Sequence, residues 1–228
     1  MKTIGLVGGT GWISTVEYYK LINEEVNRRL GGMEFAKCII YSLNYGEIDS
    51  FNRMNNKAAI YELVRDATVK LINAGADYIV LCANTLHQFV EMLEMEIRVP
   101  IIHIATVTAN ELRRKGLSRI GLIGTKQTME MDFYTSKLKE ENVTVFIPGP
   151  DDRDFIQETI SNELLKGIFR HDSRNRFIRI IKDLYLQGAE GVILGCTEIP
   201  LLIKQEDIDI PLFNTLQIHV LAAVDAAL

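Results

Sequence analysis

Short runs of apolar residues alternate along the chain with longer stretches in which apolar residues recur at helical spacing. At 78–81 four consecutive residues, Tyr-Ile-Val-Leu, are typical of a strand buried on both faces of a parallel sheet. The stretch 60–71 places its apolar residues on one helical face, and Gly75 follows it as a C-terminal stop signal. This alternation predicts a doubly wound α/β fold. The predicted strands are 3–8, 36–43, 77–82, 99–104, 119–124, 143–147, 190–195 and 211–214.

The chain also repeats itself. Three strand-like segments of the first half recur in the same order in the second half. The similar pairs are 4–8 with 120–124, 75–81 with 188–194, and 99–102 with 210–213. Their offsets are 116, 113 and 111 residues. Three collinear matches indicate an internal duplication, because chance similarity between apolar strands would produce one match rather than three.

The duplication predicts two similar lobes. Each is expected to be a mostly parallel four-stranded sheet flanked by helices, and a pseudo-twofold axis is expected to relate them. We assign residues 1–98 plus 210–228 to the first lobe and 99–209 to the second. Because ligands of open α/β sheets bind beyond the carboxyl ends of the strands, the site is expected between the lobes.

Charge and cysteine content narrow the class of protein. The 228 residues carry a net charge of −5, so neither nucleic acid nor an anionic membrane is an expected partner. No apolar run approaches the ~18 residues that span a bilayer, and the N-terminus lacks a signal-peptide pattern. Cys38, Cys82 and Cys196 are an odd number without close spacing. We therefore expect a cytoplasmic protein with free thiols, no disulfide framework and no metal site.

Two of these cysteines lie where a predicted strand turns into a helix. Residues 82–87 read Cys-Ala-Asn-Thr-Leu-His, and residues 195–198 read Gly-Cys-Thr-Glu. Free backbone N–H groups and the helix dipole at such a turn favour an anion. Cys196 is therefore a candidate acid/base whose thiolate we expect to be stabilised, whereas Cys38 lies inside an apolar strand. His103 and His219 lie in or beside predicted core elements, and we expect them to be packed.

These two segments resemble the paired signatures of the cofactor-independent aspartate/glutamate racemase family. The opening residues 8–12, Gly-Gly-Thr-Gly-Trp, are similar to the N-terminal glycine loop of that family. They are not a dinucleotide-binding fingerprint, because the third, spaced glycine is absent. The chain length and the repeat agree with the family, so the resemblance covers essentially the whole chain.

The resemblance implies racemisation of an acidic amino acid without pyridoxal phosphate, metal or any other cofactor. In the family, one cysteine removes the α-proton and an opposing cysteine returns a proton to the other face. Donors around the α-carboxylate stabilise the carbanion. The resemblance also implies a small-molecule acidic amino acid as partner and a homodimeric protein. The residues it assigns to the substrate are Thr10, Asn52, Arg53, Ala83, Asn84, Thr85, Lys166 and Thr197.

The sequence departs from the usual family pattern at the first signature. There, cysteine directly precedes asparagine, whereas here Ala83 precedes Asn84 and Cys82 lies one residue earlier. The offset of 113 likewise pairs Ala83 with Cys196. Because side chains alternate along a strand, a one-residue shift should turn Cys82 away from the site. A β-bulge could bring Cys82 round as the second base, or water, His87 or Thr85 could substitute. Otherwise Cys196 acts alone.

A single catalytic cysteine makes a second enzyme class credible, and a third hypothesis lies outside catalysis. Malonate-type decarboxylases of the same superfamily resemble this arrangement and use one cysteine to protonate a carbanion. The other alternative is a weakly active homologue that binds acidic amino acids. A racemase exchanges the α-hydrogen of aspartate or glutamate with solvent, a decarboxylase releases carbon dioxide from a malonate, and a binder does neither.

Overall fold

The computed structural model describes all 228 residues, which form two compact units. The first unit comprises residues 1–103 and 219–228, and the second comprises residues 104–218. Each unit contains its own parallel sheet, with helices between successive strands. The α/β class predicted from the alternating pattern is confirmed. None of the helices combines the length and apolar character needed to cross a membrane.

The sheet of the first unit has three parallel strands in the order β2-β1-β3. The strands are β1 (Ile4–Gly8), β2 (Cys38–Ser42) and β3 (Tyr78–Leu81). The helices are α1 (Trp12–Leu30), α2 (Tyr45–Arg53), α3 (Lys57–Asn73), a 3₁₀ helix (Asn84–Phe89), α4 (Val90–Glu96) and, from residue 219 onwards, the greater part of α11 (Thr215–Ala227).

The predicted fourth strand of this sheet, 99–104, is wrong. Only Ile101 pairs with β3, as an isolated parallel bridge to Ile79. The pairing cannot extend backwards, because Pro100 has no N–H to donate. It cannot extend forwards, because helix α5 begins at Ile104.

The sheet of the second unit has four parallel strands in the order β5-β4-β6-β7. The strands are β4 (Arg119–Gly124), β5 (Thr144–Phe146), β6 (Val192–Gly195) and β7 (Leu212–Asn214). The helices are α5 (Ile104–Arg114), α6 (Lys126–Glu130), α7 (Asp132–Glu140), α8 (Pro150–Asn162), a 3₁₀ helix (Leu164–Lys166), α9 (His171–Leu186), α10 (Ile199–Leu202) and a 3₁₀ helix (Gln205–Asp207).

The unit boundaries differ from those predicted. We assigned residues 210–228 to the first lobe, but β7 pairs with β6, so the chain as far as residue 218 belongs to the second unit. The crossing from the first unit to the second likewise comes at residue 103 rather than at 98.

The duplication itself is confirmed by the strand registers. Strands β1 and β4 both pair with two neighbours, and β3 and β6 stand beside them in equivalent places. Gly5 lies opposite Ile79 in the first sheet, and Gly121 lies opposite Val192 in the second. These are the partners that the offsets of 116 and 113 predict. The equivalence therefore extends from sequence to hydrogen-bond register.

Equivalent carboxylates in the two units accept hydrogen bonds from backbone N–H groups at the start of each sheet. In the first unit Oδ2 of Asp77 accepts the backbone N–H of Thr3 at 2.7 Å. In the second, Oε2 of Glu190 accepts the backbone N–H of Arg119 at 3.0 Å and that of Ser118 at 2.9 Å. These N–H groups lower the pKa of Glu190. Both carboxylates therefore satisfy donors that the strand ladder leaves open.

Each unit buries its own apolar core beneath helices. The core of the first unit includes Val7, Val64, Leu71 and Leu81, and that of the second includes Leu122, Ile156 and Ile193. Glycines in β1 and β4 permit this packing. A Cβ on Gly5 would come within 2.8 Å of the Ala76 side chain, and one on Gly121 within 2.9 Å of Val192.

Candidate active site

The loop between β1 and α1 lies at the carboxyl end of the sheet and leads into the N-terminus of a helix. Gly9 has φ +85°, and a Cβ there would overlap the backbone of Leu43, so glycine is required. Helix α1 begins after Gly11, which contributes no side-chain cap. Thr10 is only 8% exposed, and its Oγ1 makes no hydrogen bond. A buried hydroxyl beside an uncapped helix N-terminus can bind an anion such as a carboxylate.

The first signature continues directly from β3. The backbone N–H of Cys82 donates to the Val7 carbonyl at 2.9 Å, so the ladder with β1 runs on without an inserted residue. No bulge therefore precedes Cys82. Its thiol is buried and donates to the Val80 carbonyl at 3.8 Å, and burial raises the pKa of Cys82. Ala83 comes next, in extended conformation, at the position that the register makes equivalent to Cys196.

The remaining residues of this signature form the 3₁₀ helix. Asn84 is buried, Thr85 is half-buried, and the Thr85 carbonyl accepts from the side chain of Gln88 at 2.8 Å. Nδ1 of His87 lies 3.0 Å from the Ala83 carbonyl. Burial, with His103 nearby, lowers the pKa of His87 to about 3. His87 is therefore a neutral imidazole bonded to the alanine that replaces a cysteine.

The second signature places a buried thiol beside a buried carboxylate. Cys196 follows β6 and is 6% exposed, and its Sγ donates to Oε2 of Glu198 at 3.0 Å. The hydroxyl of Thr197 donates to the same oxygen, also at 3.0 Å. Glu198 is only 3% exposed. One carboxylate oxygen thus accepts hydrogen bonds from two neighbouring side chains.

Glu198 is a candidate functional residue that sequence reasoning missed, although it belongs to the quoted motif. The signal was available, because a carboxylate in an apolar strand-end context is costly to bury unless it has a partner. That partner is Cys196, two residues before Glu198 in the sequence.

The ionisation of Cys196 goes in the opposite direction to the one expected. Its pKa is raised well above the ordinary value, first by burial and then by the charge and hydrogen bond of Glu198. Backbone N–H groups of Glu198 and Ile199 do lower it, as the strand-to-helix turn predicted. That stabilisation is outweighed, so the resting group is a thiol.

The turn after β4 is a second missed element. It is the counterpart of the glycine loop, since the offset of 116 relates Gly9 to Thr125. The Thr125 hydroxyl caps α6, accepting the N–H of Thr128 at 3.2 Å. A Cβ on Gly124 would lie 2.7 Å from the Gly195 carbonyl. The capped turn therefore lies against the end of β6, immediately before Cys196.

The predicted distal contacts are more exposed. Asn52 and Arg53 end helix α2, and the Arg53 guanidinium pairs with Asp49. Lys166 is exposed at the end of its 3₁₀ helix, where Gly167 takes a left-handed φ of 72°. Within the first unit, Thr10 and residues 82–85 follow neighbouring strands at the same sheet edge. Asn52, Arg53 and Lys166 lie farther along the chain from any strand end.

Comparison with known proteins places the chain in a family. The family model described as Asp/Glu/Hydantoin racemase matches residues 7–223. A solved structure of a candidate Asp/Glu racemase from Yersinia pestis is 40% identical, with a TM-score of 0.91 and coverage of 100% of this chain and 99% of that one. An aspartate racemase homologue from Pyrococcus horikoshii OT3 is 34% identical, with a TM-score of 0.83 and the same coverage. The broad specificity amino-acid racemase RacX of Bacillus subtilis (strain 168) is 24% identical over 93% of this chain and 92% of its own. The chain belongs to the Asp/Glu/Hydantoin racemase family.

Proposed function

We propose that this protein is a cofactor-independent racemase of an acidic amino acid, aspartate or glutamate, in which Cys196 is a catalytic acid/base. Membership of the racemase family supports the reaction class. The observation that carries the residue assignment is the buried hydrogen bond from the Cys196 thiol to Glu198.

This hydrogen bond provides a route for the proton. Transfer from Sγ to Oε2 of Glu198 leaves a thiolate and a neutral carboxyl group, and the thiolate then removes the α-proton of the substrate. A donor on the other face protonates the carbanion, which inverts Cα. The proton on Glu198 returns through solvent to that donor. Burial keeps the thiolate weakly solvated and therefore basic enough to attack a weakly acidic C–H bond.

The donor on the other face differs from the family pattern. Ala83 stands at the position equivalent to Cys196, and the Cys82 thiol is bonded to the Val80 carbonyl. Water held by the first signature is the donor we propose, because a continuous strand ladder leaves no bulge that would turn Cys82 round. Thr85 and His87 are the side-chain alternatives.

The substrate carboxylates require cations and N–H donors. We propose that Thr10 with the N-terminus of α1, Asn84, Thr85 and Thr197 bind the amino acid, with Asn52, Arg53 and Lys166 as the distal contacts. A homodimer and an absence of any cofactor are part of the same proposal. Sedimentation velocity would measure whether the protein is a dimer, and activity after exhaustive chelation would show whether the reaction needs a metal ion.

The test is exchange of the α-hydrogen in deuterium oxide, followed by proton NMR. L- and D-aspartate and glutamate are the expected substrates, and alanine, lysine and arginine extend the panel because one relative is named for broad specificity. Cys196→Ser should lower exchange by ~10²-fold or more, since a positioned acid/base contributes ~10²–10⁴-fold. Cys38→Ser, on the edge strand β2, is the matched control and should retain the wild-type rate. Full exchange in a folded Cys196→Ser variant would contradict the assignment.

Decarboxylation of a malonate is the second candidate function. The observation that favours it is Ala83, because loss of carbon dioxide leaves a carbanion that one thiol is enough to protonate. A parallel NMR assay with a substituted malonate decides between the two. A decarboxylase releases carbon dioxide from the malonate and does not exchange the α-hydrogen of an amino acid. A protein that only binds acidic amino acids does neither.

A further inference from the structure

Three of the four histidines of the chain lie together in the first unit, beside the first signature. The ring centroids of His87 and His103 are 4.9 Å apart, and those of His87 and His219 are 5.4 Å apart. His87 and His219 are buried, and Tyr18 of α1 lies edge-on to His219 at 5.7 Å. Neither Tyr18 nor His219 has a role in the proposed reaction. Such a cluster is costly to bury, so its hydrogen bonds need an explanation.

The hydrogen bonds determine the tautomer of His219. Its Nε2 lies 2.7 Å from the Ile102 carbonyl, which can only accept, so Nε2 carries the proton. Its Nδ1 therefore accepts the hydroxyl of Tyr18, at 2.8 Å. Both ring nitrogens are satisfied, and the ring is held in one orientation by α1 and by the segment before α5.

His87 packs against the ring of His219 on one side and forms a hydrogen bond with Ala83 of the first signature on the other. By the same argument its Nδ1 donates to the Ala83 carbonyl, at 3.0 Å. The packed path thus runs from Tyr18 to His219, to His87 and to Ala83, the residue at the place of the second cysteine. A tilt of the His219 ring would be passed to the Ala83 carbonyl.

We propose that Tyr18 and His219 are positioning residues, which act through His87 to hold Ala83 and the first signature in the geometry that the reaction requires. The positioning of a catalytic segment rests on the proposed racemase function. The ionisable groups that face His87 and His219 are Tyr18 on α1 and His103 before α5. Both His87 and His219 are neutral imidazoles. Neutrality matters because a second ring proton on His219 would displace the hydroxyl proton of Tyr18.

The experiment compares two buried tyrosines. Tyr18 and Tyr134 are both 0% exposed, and Tyr134 bonds Thr108 in the second unit at 3.5 Å. Tyr18→Phe should lower kcat for α-hydrogen exchange roughly tenfold or more with a smaller change in KM, because displacement of a catalytic segment mainly affects turnover. Tyr134→Phe should leave both constants near the wild-type values.

A second measurement reports on the segment without any substrate. Amide hydrogen exchange of residues 83–89 should become faster in Tyr18→Phe and in His219→Phe, and should be unchanged in Tyr134→Phe. His219→Gln should restore part of the rate lost in His219→Phe, because glutamine supplies both a donor and an acceptor. This rescue would not occur if only ring packing mattered.

The outcomes separate the two proposals. Equal kinetics for Tyr18→Phe and Tyr134→Phe, together with unchanged exchange of residues 83–89, would overturn the positioning role. If the wild-type protein exchanges no substrate hydrogen, the proposed function fails, and amide exchange alone then decides whether Tyr18 and His219 hold the segment. Faster exchange of 83–89 in Tyr18→Phe and not in Tyr134→Phe supports that role in either case.

Discussion

Cys196 and Glu198, two residues apart, share one hydrogen bond where solvent hardly reaches. A thiol in water ionises near pH 8.5, but here burial and a neighbouring negative charge both oppose the thiolate. The same carboxylate is the nearest acceptor for the proton. Glu198 therefore raises the energy of the charged thiolate at rest, and in the proposed reaction it also provides the route by which the thiolate forms.

This dual role gives a prediction with two readouts. Glu198→Gln removes the charge while preserving the shape, so the pKa of Cys196 should fall, although burial should keep it above the ordinary value. Thiolate absorbance at 240 nm during a pH titration measures the shift, with Cys196→Ser subtracted. The exchange rate should nevertheless fall, by about 10²-fold, because the proton acceptor is lost. An unchanged titration would show that the hydrogen bond to Glu198 does not control the thiol.

The alanine at position 83 predicts unequal handling of the two enantiomers. If one face of the substrate lacks a thiol, α-hydrogen exchange should be much slower for one enantiomer, while the final ratio remains set by equilibrium. Ala83→Cys should raise the slower exchange rate, by up to the ~10²–10⁴-fold that an acid/base contributes. Cys82→Ser is the matched control, since its thiol is bonded to a strand carbonyl, and it should change little. A folded but inactive Cys82→Ser variant would show instead that Cys82 is the second base.

At the scale of elements, the apolar runs predicted the strands well wherever two neighbours pair with them. Strand β4 spans residues 119–124 as predicted, and β1 differs by one residue. The failure at 99–104 has a local cause, since Pro100 lacks a donor and α5 starts at Ile104. The repeat partner, β7, keeps a short ladder of three pairs with β6. An apolar pattern shows that a segment is buried; only hydrogen-bond partners decide whether it is a strand.

The candidate site was predicted less completely, for a physical reason. Strand ends single out Cys196 and Cys82 as candidates, because the carboxyl edge follows from the topology, whereas Thr10 comes only from the family resemblance. The direction of the Cys196 pKa could not be read, since it depends on the balance of burial, Glu198 and backbone N–H groups. Packing is expected from the sequence for His103 and His219; His219 is buried, whereas His103 is partly exposed. The hydrogen bonds of His219 to Tyr18 and of His87 to Ala83 require folded coordinates.

The buried imidazoles of His219 on α11 and of His87 on the 3₁₀ helix Asn84–Phe89 predict an acid-sensitive fold. Burial lowers the pKa of both His87 and His219 to about 3, against about 6.5 in the unfolded chain. The unfolded state then binds more protons than the folded state. The stability that the two neutral imidazoles contribute is therefore complete above about pH 6.5 and is lost as the pH falls towards 3. Each group contributes a slope of up to about 1.4 kcal/mol per pH unit. His219→Phe should therefore reduce the slope of unfolding free energy between pH 6 and 5 by about that amount, as urea denaturation would measure. An equal slope in both proteins would mean that His219 is already protonated in the folded state.

For the whole molecule, the internal repeat is the strongest statement that the sequence allowed. It survives in details that no pattern displays, such as the equivalent bonds of Asp77 and Glu190 to the starts of β1 and β4. The sequence does not give the boundaries of the units, because residues 210–213 are similar to 99–102 of the first unit, yet residues 212–214 pair within the second sheet. Similarity between the repeats identifies equivalent segments, but it does not show where the chain passes from one unit to the other.

The hydrogen bond from His219 to the Ile102 carbonyl has a consequence for protein engineering. The chain leaves the first unit after residue 103 and re-enters it at residue 219, and this 2.7 Å bond shows that the two cut points are neighbours. The 115 residues between them are thus an insert that can be excised with little loop-closure cost. We expect residues 1–103, joined to 219–228 by a short glycine-serine linker, to unfold cooperatively on heating. Excision of residues 92–206, of equal length, removes Leu93 and Ile101 from the core of the first unit and should abolish that transition. Cooperative unfolding of the first product would make the first unit a stand-alone scaffold that carries one signature without the other.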